Sequence, residues 1–206
     1  DPFFNHTNRA AYTSNYMLSI QRQITKTTLL TASYVGNQGH HLLALVSVNP
    51  GNPSLCMSLP GCGPFGEDSP YTNTAGQTIQ GTRVGQGPDY GENTSDSSIA
   101  NSNYNALEAT LRYQHYESQF LLSYTYAKSI DQGSNLGEQL NPIDPRQNRT
   151  ISAWDMKHAF VGSYTLALPV TALLRKSNRL TEQWSLSGTT RFTTGFPVTL
   201  FDNSDN

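Results

Sequence analysis

"SNYNALEATLRYQHYESQFLLSYTYAKS", residues 102–129, carries apolar residues at every second position, breaks for a few polar residues, and then does so again. Leu107, Ala109, Leu111 and Tyr113 share one face of an extended chain, while Glu108, Thr110, Arg112 and Gln114 share the other. Beyond a turn at residues 115–118, Phe120, Leu122, Tyr124 and Tyr126 line up against Leu121, Ser123, Thr125 and Ala127. Side chains of a strand alternate between faces with period two, so this pattern predicts a hairpin whose strands are greasy on one side and polar on the other.

Four further segments read the same way. Residues 15–24 place Tyr16, Leu18 and Ile20 opposite Met17, Ser19, Gln21 and Gln23, and residues 27–36 follow after only Thr25 and Lys26, which predicts a second hairpin. Residues 158–168 alternate Phe160, Gly162, Tyr164, Leu166 and Leu168 with other, mostly smaller residues, and residues 183–192 alternate Trp184, Leu186 and Phe192 with Ser185, Ser187, Thr189 and Arg191. The connections alternate too. Short ones (25–26, 115–118 and the somewhat longer 169–182) take turns with long polar ones at 37–102 and 130–157.

Compact soluble domains rarely carry a structureless insertion as long as 37–102, whereas outer-membrane barrels pair short turns on one side with long loops on the other. Composition agrees with strands and loops. Of the 206 residues 36% are hydrophobic and 14% charged, below the roughly 25% charged of typical soluble domains. No run of about 18 apolar residues is present, which excludes a transmembrane helix but not a transmembrane barrel. Segment lengths fit the roughly 9–11 tilted residues that cross an apolar band, and tyrosines and tryptophan fall within or at the strand ends, as interfacial girdles do.

The expectation is therefore an all-β fold of antiparallel, up-and-down transmembrane barrel strands, about six in number and forming a partial barrel. Residues 1–206 would belong to one outer-membrane barrel domain of a bacterium, with 37–102 and 130–157 as extracellular loops. The chain opens without Met or a signal peptide, which suggests a piece of a longer protein. Leu107, Leu111, Phe120, Leu122, Tyr124, Tyr164 and Trp184 are expected to face lipid, and Glu108, Arg112 and Arg191 the lumen. Arg22 lies on the apolar side at a strand end, where its stem can snorkel to the interface.

Few residues suggest chemistry. A formal net charge of −2 supplies no basic stripe, so nucleic acid is not an expected partner. Cys56 and Cys62 would form a small loop staple in an oxidising compartment and stand as idle thiols in the cytosol. His40 and His41 lack an identifiable third ligand and read as solvated rim residues rather than a metal site. Asp144, Arg146, Arg149, Asp155 and His158 read first as charges pinning a loop to the start of the fifth strand, and second as a substrate-contact patch. The sequons at Asn5, Asn93 and Asn148 match by chance in an Asn- and Thr-rich chain. No nucleophile elbow accompanies the scattered Ser, His and Asp residues, and residues 85–93 are not framed by strand and helix as a phosphate loop would be. No enzyme activity and no cofactor are expected.

The stretches YVGNQGHHL (34–42), NYNAL (103–107) and SYTYAKSID (123–131), followed by the Asp155, His158 and Phe160 pattern, resemble the barrel of Oar-like TonB-dependent receptors. These are large outer-membrane proteins with a carboxypeptidase-regulatory-like domain ahead of a plug. The resemblance covers most of the chain outside residues 49–101 and implies a portion of a barrel of about 22 strands. It also implies energy-coupled movement of a bulky solute. Expected partners are outer-membrane lipid, the rest of the barrel with its plug, the solute, and TonB through parts outside this chain. The alternative is a soluble or surface-anchored β-sandwich adhesin or carbohydrate-binding module, in which Leu107, Leu111, Phe120, Leu122, Tyr164 and Trp184 would be buried together beneath a second sheet.

Overall fold

A computed structural model describes residues 3–4, 8–58, 70–72, 75–76, 78–83, 93–135, 137–175, 178 and 183–198. Its strands in chain order are β1 (Phe3–Phe4), β2 (Tyr12–Thr25), β3 (Thr28–Ser47), β4 (Pro70–Thr72), β5 (Thr78–Gln80), β6 (Thr94–His115), β7 (Ser118–Asp131), β8 (Gln139–Leu140), β9 (Thr150–Ile151), β10 (His158–Ala167) and β11 (Ser185–Thr193). Two short helices, α1 (Pro53–Met57) and α2 (Val170–Leu174), interrupt the connections, and Pro145–Asn148 forms a 3₁₀ turn.

The six segments read from the sequence form one antiparallel path, in the order β11-β10-β7-β6-β3-β2. Each of the hairpins β2–β3 and β6–β7 turns on two residues, as strands of matched alternation require. Tyr116, in the second turn, has a φ of 48°, the left-handed conformation such turns need. Among the described residues β2 and β11 each have a strand neighbour on one side only, so the sheet is open at both edges.

Two loop boundaries differ from expectation. The segment expected as a loop from 37 to 102 is paired at both ends: β3 and β6 stay paired from Thr28 opposite Tyr113 to Ser47 opposite Thr94. The pairing was hidden because register shifts between Gly39 and Leu42, and again between Leu42 and Leu43, break the period-two pattern. His41 takes a φ of 55° there. The polar run at 94–102 pairs because its backbone groups need partners whatever its side chains are. Likewise β7 runs to Asp131, and the 130–157 segment contains β8, which pairs with β3 in parallel, and β9, which pairs with β7. Within the remaining connection β4 and β5 make a small separate hairpin.

The one packed apolar cluster among the described residues lies at the long-loop end of the sheet. Leu140, only 1% exposed, packs with Ala44 and Ala100, with Leu42 and Val46 alongside, where the β3–β6 extension meets β8. Within the sheet itself the apolar face stays open: Leu18 is 67% and Leu107 52% exposed, and Leu111, Phe120, Leu122 and Tyr164 are half-buried only. A sandwich would cover these residues with a second sheet. The second sheet among the described residues is the β4–β5 hairpin, so the sandwich alternative does not describe this fold.

Candidate functional site

Register assigns the side chains to two faces, because directly opposed residues of an antiparallel pair point the same way. Leu107 lies opposite Tyr34 and Tyr126, Leu111 opposite Leu30 and Leu122, Tyr124 opposite Ala109 and Phe160, and Phe120 opposite Tyr113 and Tyr164. Trp184, exposed just ahead of β11, accepts a hydrogen bond at its carbonyl from the Leu168 N–H at 2.8 Å. All seven residues expected to face lipid are thus exposed or half-buried, and register puts the six that lie within strands on one face.

The opposite face mixes hydroxyls and charges with apolar residues such as Met17, Leu29, Leu121 and Val161. Glu108 stands opposite Ser33 and Thr125, Arg112 opposite Leu29 and Leu121, and Arg191 opposite Val161. Cross-strand hydroxyl pairs run along it: Ser19 with Ser33 at 2.9 Å, Ser163 with Thr189 at 3.3 Å and Thr165 with Ser187 at 3.0 Å. Arg22, opposite Leu30, lies on the apolar face near the β2–β3 turn.

At the long-loop end the apolar face becomes polar within a few rungs. The hydroxyls of Tyr16 and Tyr34 donate to the same oxygen, Oδ1 of Asn105, at 3.0 and 2.7 Å. Above that pair lies a recess of about 410 Å³, with Gln38, Asn103 and Ile130 at its floor and Arg146 and Arg149 brought over it by the 132–157 connection. Gln132 braces the recess: its Oε1 accepts from the Asn101 N–H at 2.8 Å, and its Nε2 donates to the Pro145 carbonyl at 2.8 Å.

The five residues expected to pin this loop are not one cluster. Asp144 caps the 3₁₀ turn by accepting from the Arg146 N–H at 3.1 Å. Asp155 accepts from the Ser129 N–H at 2.6 Å, tying the start of β10 to the end of β7. The His158 ring meets the Tyr124 hydroxyl at Nδ1, 2.8 Å away, and lies beside Tyr126 with ring centroids 5.2 Å apart. Arg146 and Arg149 alone share the recess.

A family description, outer membrane beta barrel domain, matches residues 3–206. The chain belongs to this family. Its place is therefore the bacterial outer membrane, and its sheet is barrel wall. No curated protein and no solved structure matches the chain.

The remaining candidates of this outer membrane beta-barrel domain lie in its connections. Cys56, in α1, is disulfide-bonded, while Cys62, Asn5 and most of residues 85–93 lie outside the described residues. His40 sets Nδ1 3.2 Å from the Asn101 Oδ1, and both His40 and His41 flank the Tyr12 ring, with centroids at 5.1 and 5.7 Å. Among the described residues no group of three or more His, Cys, Asp or Glu is placed to hold a metal ion. Sequence reading missed Asn105 and Gln132 as organising residues. The NYNAL motif was the signal for the first; nothing local marked the second.

Proposed function

We propose that this chain is part of the barrel of a TonB-dependent, Oar-like outer-membrane receptor that moves a bulky solute across the outer membrane. The observation that carries the reading is the open sheet. Its apolar face is uncovered along six strands and its edges β2 and β11 are each paired on one side only among the described residues. Such a sheet is stable in a membrane when further strands complete it, because each unpaired backbone group in hydrocarbon costs several kcal/mol.

In this reading the apolar face meets lipid, and the face of Glu108, Arg112 and Arg191 lines the lumen, where a plug and a solute path would lie. The sequence motifs at residues 34–42, 103–107 and 123–131 support the Oar-like assignment. In this reading TonB acts on the receptor through segments other than the barrel wall. No residue is assigned catalysis.

The test is peptide mapping of fractionated source cells, followed by in vivo crosslinking to TonB. Recovery of these peptides in the outer membrane on a polypeptide much longer than 206 residues, crosslinked to TonB, is the expected result. A closed barrel of about this chain's size, or a larger one that never crosslinks, would remove the receptor assignment and leave only the barrel.

A further inference from the structure

The recess beneath Arg146 and Arg149 opens on the apolar side of the sheet. Following the face upward, the rung of Leu18, Tyr34, Leu107 and Tyr126 gives way to Tyr16, Gly36, Asn105 and Lys128, and then to Gln38, Asn103 and Ile130. The aromatic rungs are the place where tyrosines mark the boundary between hydrocarbon and headgroups. The recess therefore sits at headgroup depth, facing outward, with exposed Lys128 just below it.

Its polar lining is already committed. Gln38 donates to the Tyr16 hydroxyl, Asn103 accepts from the Asn105 side-chain amide, Gln132 is held by Asn101 and Pro145, and His40 faces Asn101. The nearby carboxylate, Asp144, is taken up by the backbone N–H of Arg146. The guanidinium groups of Arg146 and Arg149, both on exposed residues, have no acceptor among the described residues. Two such groups offer planar pairs of donors matched to phosphate oxygens.

We infer that this recess binds the phosphorylated headgroup of an outer-leaflet glycolipid, with Arg146 and Arg149 as the phosphate ligands and Lys128 as an auxiliary charge. A transported anion is the less fitting occupant, because the solute path belongs to the opposite face, where Glu108, Arg112 and Arg191 lie. Solvated surface arginines would not need to converge on one braced recess on the lipid side. The inference rests on the reading that the apolar face meets lipid.

The experiment uses the whole outer-membrane protein, purified in detergent and stripped of lipid. Retention of added lipid A is read by native mass spectrometry and by the shift in thermal unfolding. The intact protein is expected to retain phosphorylated lipid A, to ignore its dephosphorylated form, and to show no shift with inorganic phosphate at the same concentration. Arg146→Ala with Arg149→Ala should weaken retention at least tenfold, and the paired Lys variants should restore part of it.

Equal binding of dephosphorylated lipid A by the unaltered protein would overturn the site without any variant needing to fold. So would unchanged retention in the double Ala variant, or inorganic phosphate binding as tightly as lipid A. A nitroxide placed by Leu107→Cys separates the two levels of the argument. Relaxation by oxygen rather than by an aqueous nickel chelate keeps the lipid-facing reading even if the arginine site fails; the reverse removes both.

Discussion

The Tyr16 ring fills the space that a side chain at Gly36 would need: a β-carbon built there falls 2.1 Å from the ring's Cε2 and Cζ. The two residues are direct cross-strand partners, and the ring lies over the glycine while its hydroxyl reaches Asn105. Tyr164 stands in the same relation to Gly188, where a β-carbon would come within 2.6 Å of the hydroxyl. Aromatic cover of a strand glycine recovers contact area that glycine alone lacks.

Gly36→Val should therefore destabilise the barrel by roughly 1–3 kcal/mol, the usual cost of overpacking, measured by urea unfolding in lipid vesicles. The sign depends on the ring. Gly36 is not in the left-handed region, so in a Tyr16→Ala background Gly36→Ala should turn favourable by about 0.4–1 kcal/mol, through the unfolded chain. An unfavourable Gly36→Ala in both backgrounds would show that the ring is not what excludes the side chain.

The two faces should respond oppositely to charge. Leu111 lies mid-strand between Leu30 and Leu122, and Thr110 points to the hydroxyl-rich face between Thr31 and Ser123. Leu111→Arg is expected to cost about 2–4 kcal/mol, the midplane value for a basic residue on a lipid face, and Thr110→Arg much less. Unfolding of the two variants in the same vesicles checks this. Equal costs would mean that both faces are in water, or both in lipid.

These faces were legible in the sequence because a membrane imposes period-two polarity on each spanning strand, and Leu107 to Tyr113 obey it throughout and Phe120 to Tyr126 at every position but Leu121. Beyond the membrane that constraint lapses. The β3–β6 extension, with its shift at Gly39–Leu42 and its run of serines, therefore read as loop although it is paired. The rim was legible only in part, for a different reason. Asp155 and His158 were recognisable as a motif, but their separate partners, Ser129 and Tyr124, are set by the pairing of β7 with β10. The convergence of Arg146 and Arg149 over Gln38 and Asn103 requires the register of three strands at once, which no local pattern encodes.

Asp155 holds the loop to the sheet through one short bond, so its removal should be felt locally. Asp155→Ala leaves the Ser129 N–H, part-buried, without its carboxylate acceptor, a loss of about 1–3 kcal/mol. Hydrogen exchange at Ser129 should accelerate, while amides at Leu111 and Leu122 in the middle of the sheet keep their protection. Uniform acceleration along β7 would instead make Asp155 a residue of global stability.

Leu140 offers the matching test of the loop core. Its side chain, 1% exposed, is the large apolar group that seals β8 against Ala44 and Ala100. Leu140→Ala should remove about 2–5 kcal/mol of local packing, since the two facing alanines cannot expand into the gap. β8 pairs with β3 through Leu45 and Val46 alone, so the loss should release the strand and with it the connection that carries Arg146 and Arg149. Limited proteolysis within 132–149 should become at least tenfold faster, with the six-strand sheet intact by infrared spectroscopy. The strand would come loose without the barrel because the packing that holds it lies outside the membrane, on the β3–β6 extension, and shares no buried residue with the lipid-facing rungs.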